Sequence, residues 1–251
     1  MSDFGKNWKP IRAVRDSQPM AERAAELRST LRVRDPSLVA ARSASSWRTV
    51  GAERGELILP FWDDRCILPF PELTARSSRG EPLPDFQQAL LLYYLLTADG
   101  TPLTGRWVSF ADLPDGRMYN AAFQGYSGDE IVKRFEKVRR DNISLYPALH
   151  DFKQACLSVG GKPVEIGSAS FIFQALPRVP LLTTYWLGDE DFPSSCKILF
   201  DASASHYLPI DACAILGSML TRKLIHSRYA VPSPSPLHPS PSGRGDGGEG
   251  A

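Results

Sequence analysis

The densest group of chemically capable side chains is Trp186-Leu187-Gly188-Asp189-Glu190-Asp191-Phe192-Pro193, with Asp201, His206 and Asp211 downstream. Hard divalent cations take oxygen ligands, so Asp189, Glu190 and Asp191 on one turn can converge on Mg²⁺ or Ca²⁺. The same carboxylates can supply a general acid and a general base if burial drives two pKa values apart. A calcium loop needs alternating ligands closed by a glutamate, and this spacing does not match one. Gly-Asp-Glu-Asp is also ordinary turn chemistry. His206, between Ser205 and Tyr207, is the histidine best placed to act as a base opposite that turn. His150, His226 and His238 are spread over a helix, a helix end and the tail, which argues against a three-histidine metal site.

A second set is aromatic and basic. The glycine-bounded stretch Gly100–Gly105 reads as a loop that delivers Arg106 and Trp107 onto a short strand. With Tyr119, Phe123, Tyr126 and Trp186 they can line a flat ligand site, although core packing explains the same rings. Ser194-Ser195-Cys196 offers nucleophiles, but nothing places a base beside them and no G-x-S-x-G elbow is present. Phosphate-loop and dinucleotide fingerprints are also missing. No catalytic residue or metal ligand is assigned on these grounds. The candidate ligand-binding residues are Arg106, Trp107, Trp186, Asp189, Glu190, Phe192, Asp201, His206 and Asp211.

The elements that must position them follow from hydrophobic periodicity. Pro19–Arg34 reads as an amphipathic helix ended by Asp35-Pro36, because the residue before proline is pushed out of the helical region. Leu57–Trp62 and Arg65–Leu68 read as a hairpin about Asp63-Asp64, followed by a polar, proline-containing connection to Pro84. Asp85 can cap a helix to Ala98 whose run ALLLYYLL is apolar nearly all round, placing it in the middle of the fold. Arg106–Phe110 is a strand candidate. Ser127 and Glu130 match a capping box for a helix to Arg139, and Tyr146–Val159 is a further helix. Ala169–Ala175, Leu181–Leu187 and Lys197–Phe200 read as antiparallel strands, and Pro209–Ile225 as the closing helix.

The expected fold is therefore α+β: one domain over 20–226, a small, mostly antiparallel sheet and about five helices. A flexible N-terminus over 1–19 and a disordered Pro/Ser/Gly-rich tail over 227–251 flank it. Composition agrees, since 43% hydrophobic and 23% charged residues are ordinary globular values. The net charge of +1 gives no global field for nucleic acid or anionic lipid. That neutrality is a cancellation: residues 1–56 carry 11 basic and 7 acidic side chains, and residues 57–130 carry 5 and 10. Four widely spaced cysteines, no secretory signal and no membrane-length apolar run make the cytoplasm the expected compartment.

Two stretches together carry a resemblance. They are ALLLYYLLTADGTPLTGRWVSFADLPDGRMY (Ala89–Tyr119) and PRVPLLTTYWLGDEDFPSSCKILFDASASHYLPIDACAILGSMLTRKL (Pro177–Leu224). They resemble an uncharacterised prokaryotic family whose shared domain has no assigned function. Its words are L-T-G-x-W-x-S/T-F and L-P-x-G, then W-x-G-D-E-x-F-P, I-L-F-D and Y-L-P-x-D/E. Some relatives carry an appended iron–sulfur cluster-type domain, which implies anaerobic redox or cofactor metabolism. The chain itself has no cysteine-rich segment for such a cluster. The resemblance implies a non-catalytic ligand- or cofactor-binding accessory protein, with an iron–sulfur or other redox protein as partner. The alternative is a metal-assisted enzyme built on the Asp189/Glu190/Asp191 turn.

Overall fold

Alternation of apolar residues builds the first sheet, in which Leu57, Leu59 and Phe61 are buried on one strand and Cys66 and Leu68 on the next. The computed structural model describes residues 18–51, 54–136 and 146–227. Three strands, β1 (Ser46–Thr49), β2 (Gly55–Phe61) and β3 (Asp64–Phe70), pair antiparallel in the order β1-β2-β3. The second sheet contains β4 (Trp107–Ser109), β5 (Lys162–Val164), β6 (Ala169–Leu176), β7 (Val179–Trp186) and β8 (Ser195–Asp201). Its order is β4-β8-β7-β6-β5, again with every pairing antiparallel. The expected α+β class holds, with two sheets in place of one. A backbone bond from Trp62 N to Ala175 O (2.9 Å) ties them together.

Among the described residues there are seven α-helices: α1 (Gln18–Leu31), α2 (Pro36–Ser43), α3 (Asp85–Thr97), α4 (Asn120–Tyr126), α5 (Gly128–Glu136), α6 (Tyr146–Ser158) and α7 (Ile210–Ser227). α3 is the central helix that its composition demands, with Leu90, Leu91, Leu92, Tyr94 and Leu95 all buried. Buried Gln88 is fully engaged there: its Oε1 accepts from Arg28 Nη2 (2.6 Å) and Ala75 N (3.2 Å), and its Nε2 donates to Leu83 O (3.0 Å). One side chain thus joins α1, α3 and the connection between sheet and helix, and leaves no buried polar atom of its own unpaired.

Several local expectations are corrected. α1 ends at Leu31, three residues short of the expected Arg34, and Asp35-Pro36 starts α2, since Asp35 Oδ1 accepts from Ser37 N (2.9 Å) and Pro36 occupies the first turn. Pro84, not Asp85, is the N-cap of α3, and Asp85 lies in its first turn. The Ser127 hydroxyl donates back to Phe123 O (2.5 Å) in place of forming a capping box with α5. A capping box exists at Ser109 and Asp112, in the 3-10 turn Phe110–Asp112 that follows β4. Of the flexible N-terminus expected over 1–19 and the disordered tail expected over 227–251, residues 1–17 and 228–251 lie outside the described residues, whereas residues 18 and 19 belong to α1 and residue 227 to α7. No helix among those residues is long and apolar enough to cross a membrane.

Candidate functional site

β4 and β8 bring the two distant sequence blocks into register, pairing Trp107 with Asp201 and Ser109 with Leu199. Asp201, at the end of β8, is buried and receives five hydrogen bonds. Its Oδ1 accepts from Thr104 N (3.1 Å), Thr104 Oγ1 (2.9 Å), Ser203 N (2.9 Å) and Ser203 Oγ (2.7 Å). Its Oδ2 accepts from Gly105 N (2.7 Å). Burial alone would push this carboxyl up, but the donors from Ser203 and Thr104 outweigh it and hold the group below its ordinary range. Gly105 has φ of 69°, a left-handed conformation that suits glycine and aims its N–H at the carboxylate. Asp201 is therefore a clamp that sets the loop carrying Arg106 and Trp107.

Beyond the clamp, Phe110 turns inward and stacks on Phe123 with centroids 4.2 Å apart and planes 9° from parallel. Phe123 meets Tyr126 edge-on at 5.6 Å and Phe200 at 6.0 Å. Such offset and edge contacts fix ring positions beyond what area burial does. Gly116 allows the chain to pass over this stack, because a Cβ there would lie 1.8 Å from Phe110 O. Phe110, Tyr119, Tyr126, Asp211 and Ala214 then line a small cleft with an interior volume of about 10 Å³, roughly one water.

Asp211 sits in the first turn of α7 and is half-buried. Among the described residues no hydrogen bond or ion pair engages its carboxylate. Burial raises its pKa, and among the described residues no cationic side chain offsets the shift. A carboxylate desolvated by a cleft is an arrangement associated with binding and catalytic sites.

The remaining candidates lie elsewhere. Trp107 pairs with one end of β8 and Trp186 with the other, at Ser195. Six residues of strand separate those ends by about 20 Å, so the two indoles do not share one pocket. Arg106 is exposed on the loop side of β4. Trp186 is partly covered by Lys197, whose Nζ stands 5.9 Å from the ring centroid. In the β7–β8 turn Asp189 Oδ1 accepts from Asp191 N (3.0 Å) and Phe192 N (2.8 Å), so its carboxylate builds the turn itself. Glu190, Asp191 and Phe192 are exposed. Among the described residues no three His, Cys, Asp or Glu side chains are grouped to hold a metal ion. His206 faces away from that turn: its Nδ1 lies 2.6 Å from Asp99 Oδ2 and 3.2 Å from Thr101 Oγ1. The His206 hydrogen bond and the Thr101 amide hold the exposed Asp99 carboxyl down at about 2.

Residues 35–223 of the 251 match the model of a family described as "Domain of unknown function (DUF3786)". The chain belongs to this family. No curated protein and no solved structure matches it. The DUF3786 domain therefore spans every strand among the described residues but none of α1, and it contains both the Asp201 clamp and the Asp211 cleft. The cleft draws Phe110 and Tyr119 from the first resembling block and Asp211 and Ala214 from the second. Tyr126, from α4, was part of the aromatic set read from composition, but no spacing in the sequence joins it to Asp211. Thr104 and Gly105 carry no chemical signal of their own; only the pairing of β4 with β8 reveals them as partners of Asp201.

Proposed function

We propose that this chain is a non-catalytic ligand- or cofactor-binding accessory protein that acts in the cytoplasm beside a redox partner. Its binding site is the cleft around Asp211. The observation that carries the reading is a half-buried carboxylate, set among aromatic side chains, that no donor or cation engages among the described residues. An unpaired carboxylate in a partly dry site costs stability, and a ligand that supplies the missing partner recovers it. A binding role also fits the candidate nucleophiles and acids: Cys196 is buried with its thiol pushed up, and Asp189 is engaged in its own turn. The redox association rests on the resemblance of the two blocks to prokaryotic relatives with an appended iron–sulfur cluster-type domain.

Native mass spectrometry with metal analysis, on protein purified without oxygen, tests this directly. A retained small molecule, present in the unaltered chain and lost in Asp211→Asn, is the expected outcome. A bare polypeptide mass in both, under conditions that preserve a folded charge-state distribution, would overturn the cleft as a ligand site.

A further inference from the structure

Large apolar side chains stand exposed together at one end of the five-stranded sheet. Phe192 is 71% exposed, Ile166 42% and Trp186 36%. The β5–β6 loop and the β7–β8 turn meet there: Leu187 N donates to Ser168 Oγ (2.9 Å), and a Cβ on Gly167 would lie 3.0 Å from Trp186 Nε1. Gly188 N donates to Ser194 Oγ (2.8 Å) and Asp189 N to Phe192 O (2.9 Å). Phe192 therefore projects from a turn closed by its own hydrogen bonds, and an anchor held this way loses little freedom on binding. Grouped exposed apolar side chains, unlike single ones, mark surfaces that meet a partner.

Charge decides what that partner is. Residues 164–168 and 187–194 carry Glu165, Asp189, Glu190 and Asp191, all exposed, and no Lys, Arg or His. Lys197 lies on the sheet itself, its Nζ 5.9 Å from the Trp186 ring centroid. Nucleic acid and anionic lipid meet this rim with repulsion. So does a second copy in a two-fold contact, which sets the same carboxylates against one another. A small ligand cannot enclose a ring that projects into solvent, whereas a recess in a larger surface can. We propose that this end of the sheet docks a cationic protein surface, with Phe192 entering an apolar recess ringed by lysine or arginine. The aromatic anchor supplies affinity, and the acidic rim selects the partner and speeds the encounter. This surface does not depend on the Asp211 cleft holding a ligand.

The test is a titration of the ¹⁵N-labelled full chain with the capped peptide Lys-Leu-Lys-Leu-Lys-Leu-Lys, followed by amide shifts at constant ionic strength. Lys-Ser-Lys-Ser-Lys-Ser-Lys and Glu-Leu-Glu-Leu-Glu-Leu-Glu serve as comparison peptides. Saturable shifts at Ile166, Gly167, Trp186 and Phe192 are expected with the lysine–leucine peptide, and none with the glutamate peptide. Phe192→Ser, and separately Glu190→Gln combined with Asp191→Asn, should each weaken binding about 5-fold or more. Both variants should melt within about 2 °C of the unaltered chain, because the replaced side chains are exposed. Asp211→Asn should bind the peptide as the unaltered chain does, so a lost cleft ligand and lost docking are read separately. Equal binding of the lysine–serine peptide, or of the lysine–leucine peptide by Phe192→Ser, would reduce the contact to bulk charge attraction and overturn the docking surface. Shifts that stay linear, that centre elsewhere, or that vanish in Asp211→Asn would overturn it too. A doubled mass in light scattering that Phe192→Ser halves would make the patch a contact between copies and overturn the cationic partner.

Discussion

Removing the Asp201 carboxylate should loosen one loop before it loosens the fold, and the size of the effect follows from its five donors. In Asp201→Ala the amides of Thr104, Gly105 and Ser203 lose their acceptor together with two hydroxyls. Hydrogen bonds to a charged group contribute about 1.5–3 kcal/mol each but are not additive, and breaking a buried ionic network costs roughly 3–5 kcal/mol. At roughly 2–4 °C per kcal/mol for a domain of this size, Asp201→Ala should melt about 6–20 °C below the unaltered chain. Asp201→Asn is milder, about 1.5–3 kcal/mol, because its amide nitrogen replaces the oxygen that faces Gly105 N–H and sets donor against donor. The sign with pH is defined. The folded carboxyl lies below its ordinary range, so its contribution is full above about pH 4, the unfolded value, and is lost as pH falls through the folded value. Thermal melts at pH 7 and below pH 4 read the global term, and hydrogen exchange at Thr104, Gly105 and Ser203 reads the local one. An Asp201→Ala melt within about 2 °C of the unaltered chain, or unchanged protection at those amides, would refute the clamp.

Asp211→Asn should do the opposite at neutral pH. Burial raises this carboxyl in the folded state, so stability falls as pH rises from the unfolded value through the folded one, and the neutral amide escapes that loss. A rise on the order of 1–3 °C at pH 7, shrinking toward pH 4 and read by differential scanning calorimetry, is expected; a clear drop at pH 7 would count against an unpaired carboxylate. Gly116→Ala forces a Cβ against Phe110 O, and overpacking of this kind costs about 1–3 kcal/mol. It should displace Phe110 and weaken cleft binding as well as stability; a variant with unchanged melting and binding would remove Gly116 from the account. All four cysteines are buried and unbridged, and burial pushes Cys66 and Cys213 up to about 12 and the other two thiols up as well. Fewer than one thiol per native chain should react with Ellman's reagent over minutes at pH 8, against four in denaturant.

The elements with strong periodicity were legible in the sequence, and those defined by their neighbours were not. α3 was evident because thirteen residues contain almost nothing but apolar side chains after the first turn. β6, β7 and β8 were evident from β-branched and aromatic runs between turn residues. β1 is not legible because SWRT is an edge strand, largely exposed, with no alternation for a pattern to detect. α2 is not legible there because Asp35-Pro36 reads as the stop of one helix, although a capping aspartate before a proline is also how helices begin. Among the site residues, Asp201 and Asp211 stood out by their place in the resembling words, yet their roles diverge. Among the described residues one is saturated with donors and the other has none, a contrast set by β4 pairing with β8 and by the aromatic stack beneath α7. The acidic turn drew attention through composition, and the structure shows its first carboxylate bonded to the backbone of its own turn.

The β4–β8 pairing also has a consequence in time. During synthesis Thr104 and Gly105 leave the ribosome 97 and 96 residues ahead of the carboxylate that will hold them. At about 5–20 residues per second that interval is roughly 5–20 s, far longer than a hairpin or helix needs to form. Over it the three-stranded sheet with α1, α2 and α3 is already complete in sequence, whereas β4 has no strand to pair with. Until β8 is made, β4 lacks its pairing strand and the Phe110–Phe123 stack lacks Phe200, the β8 ring packed against both.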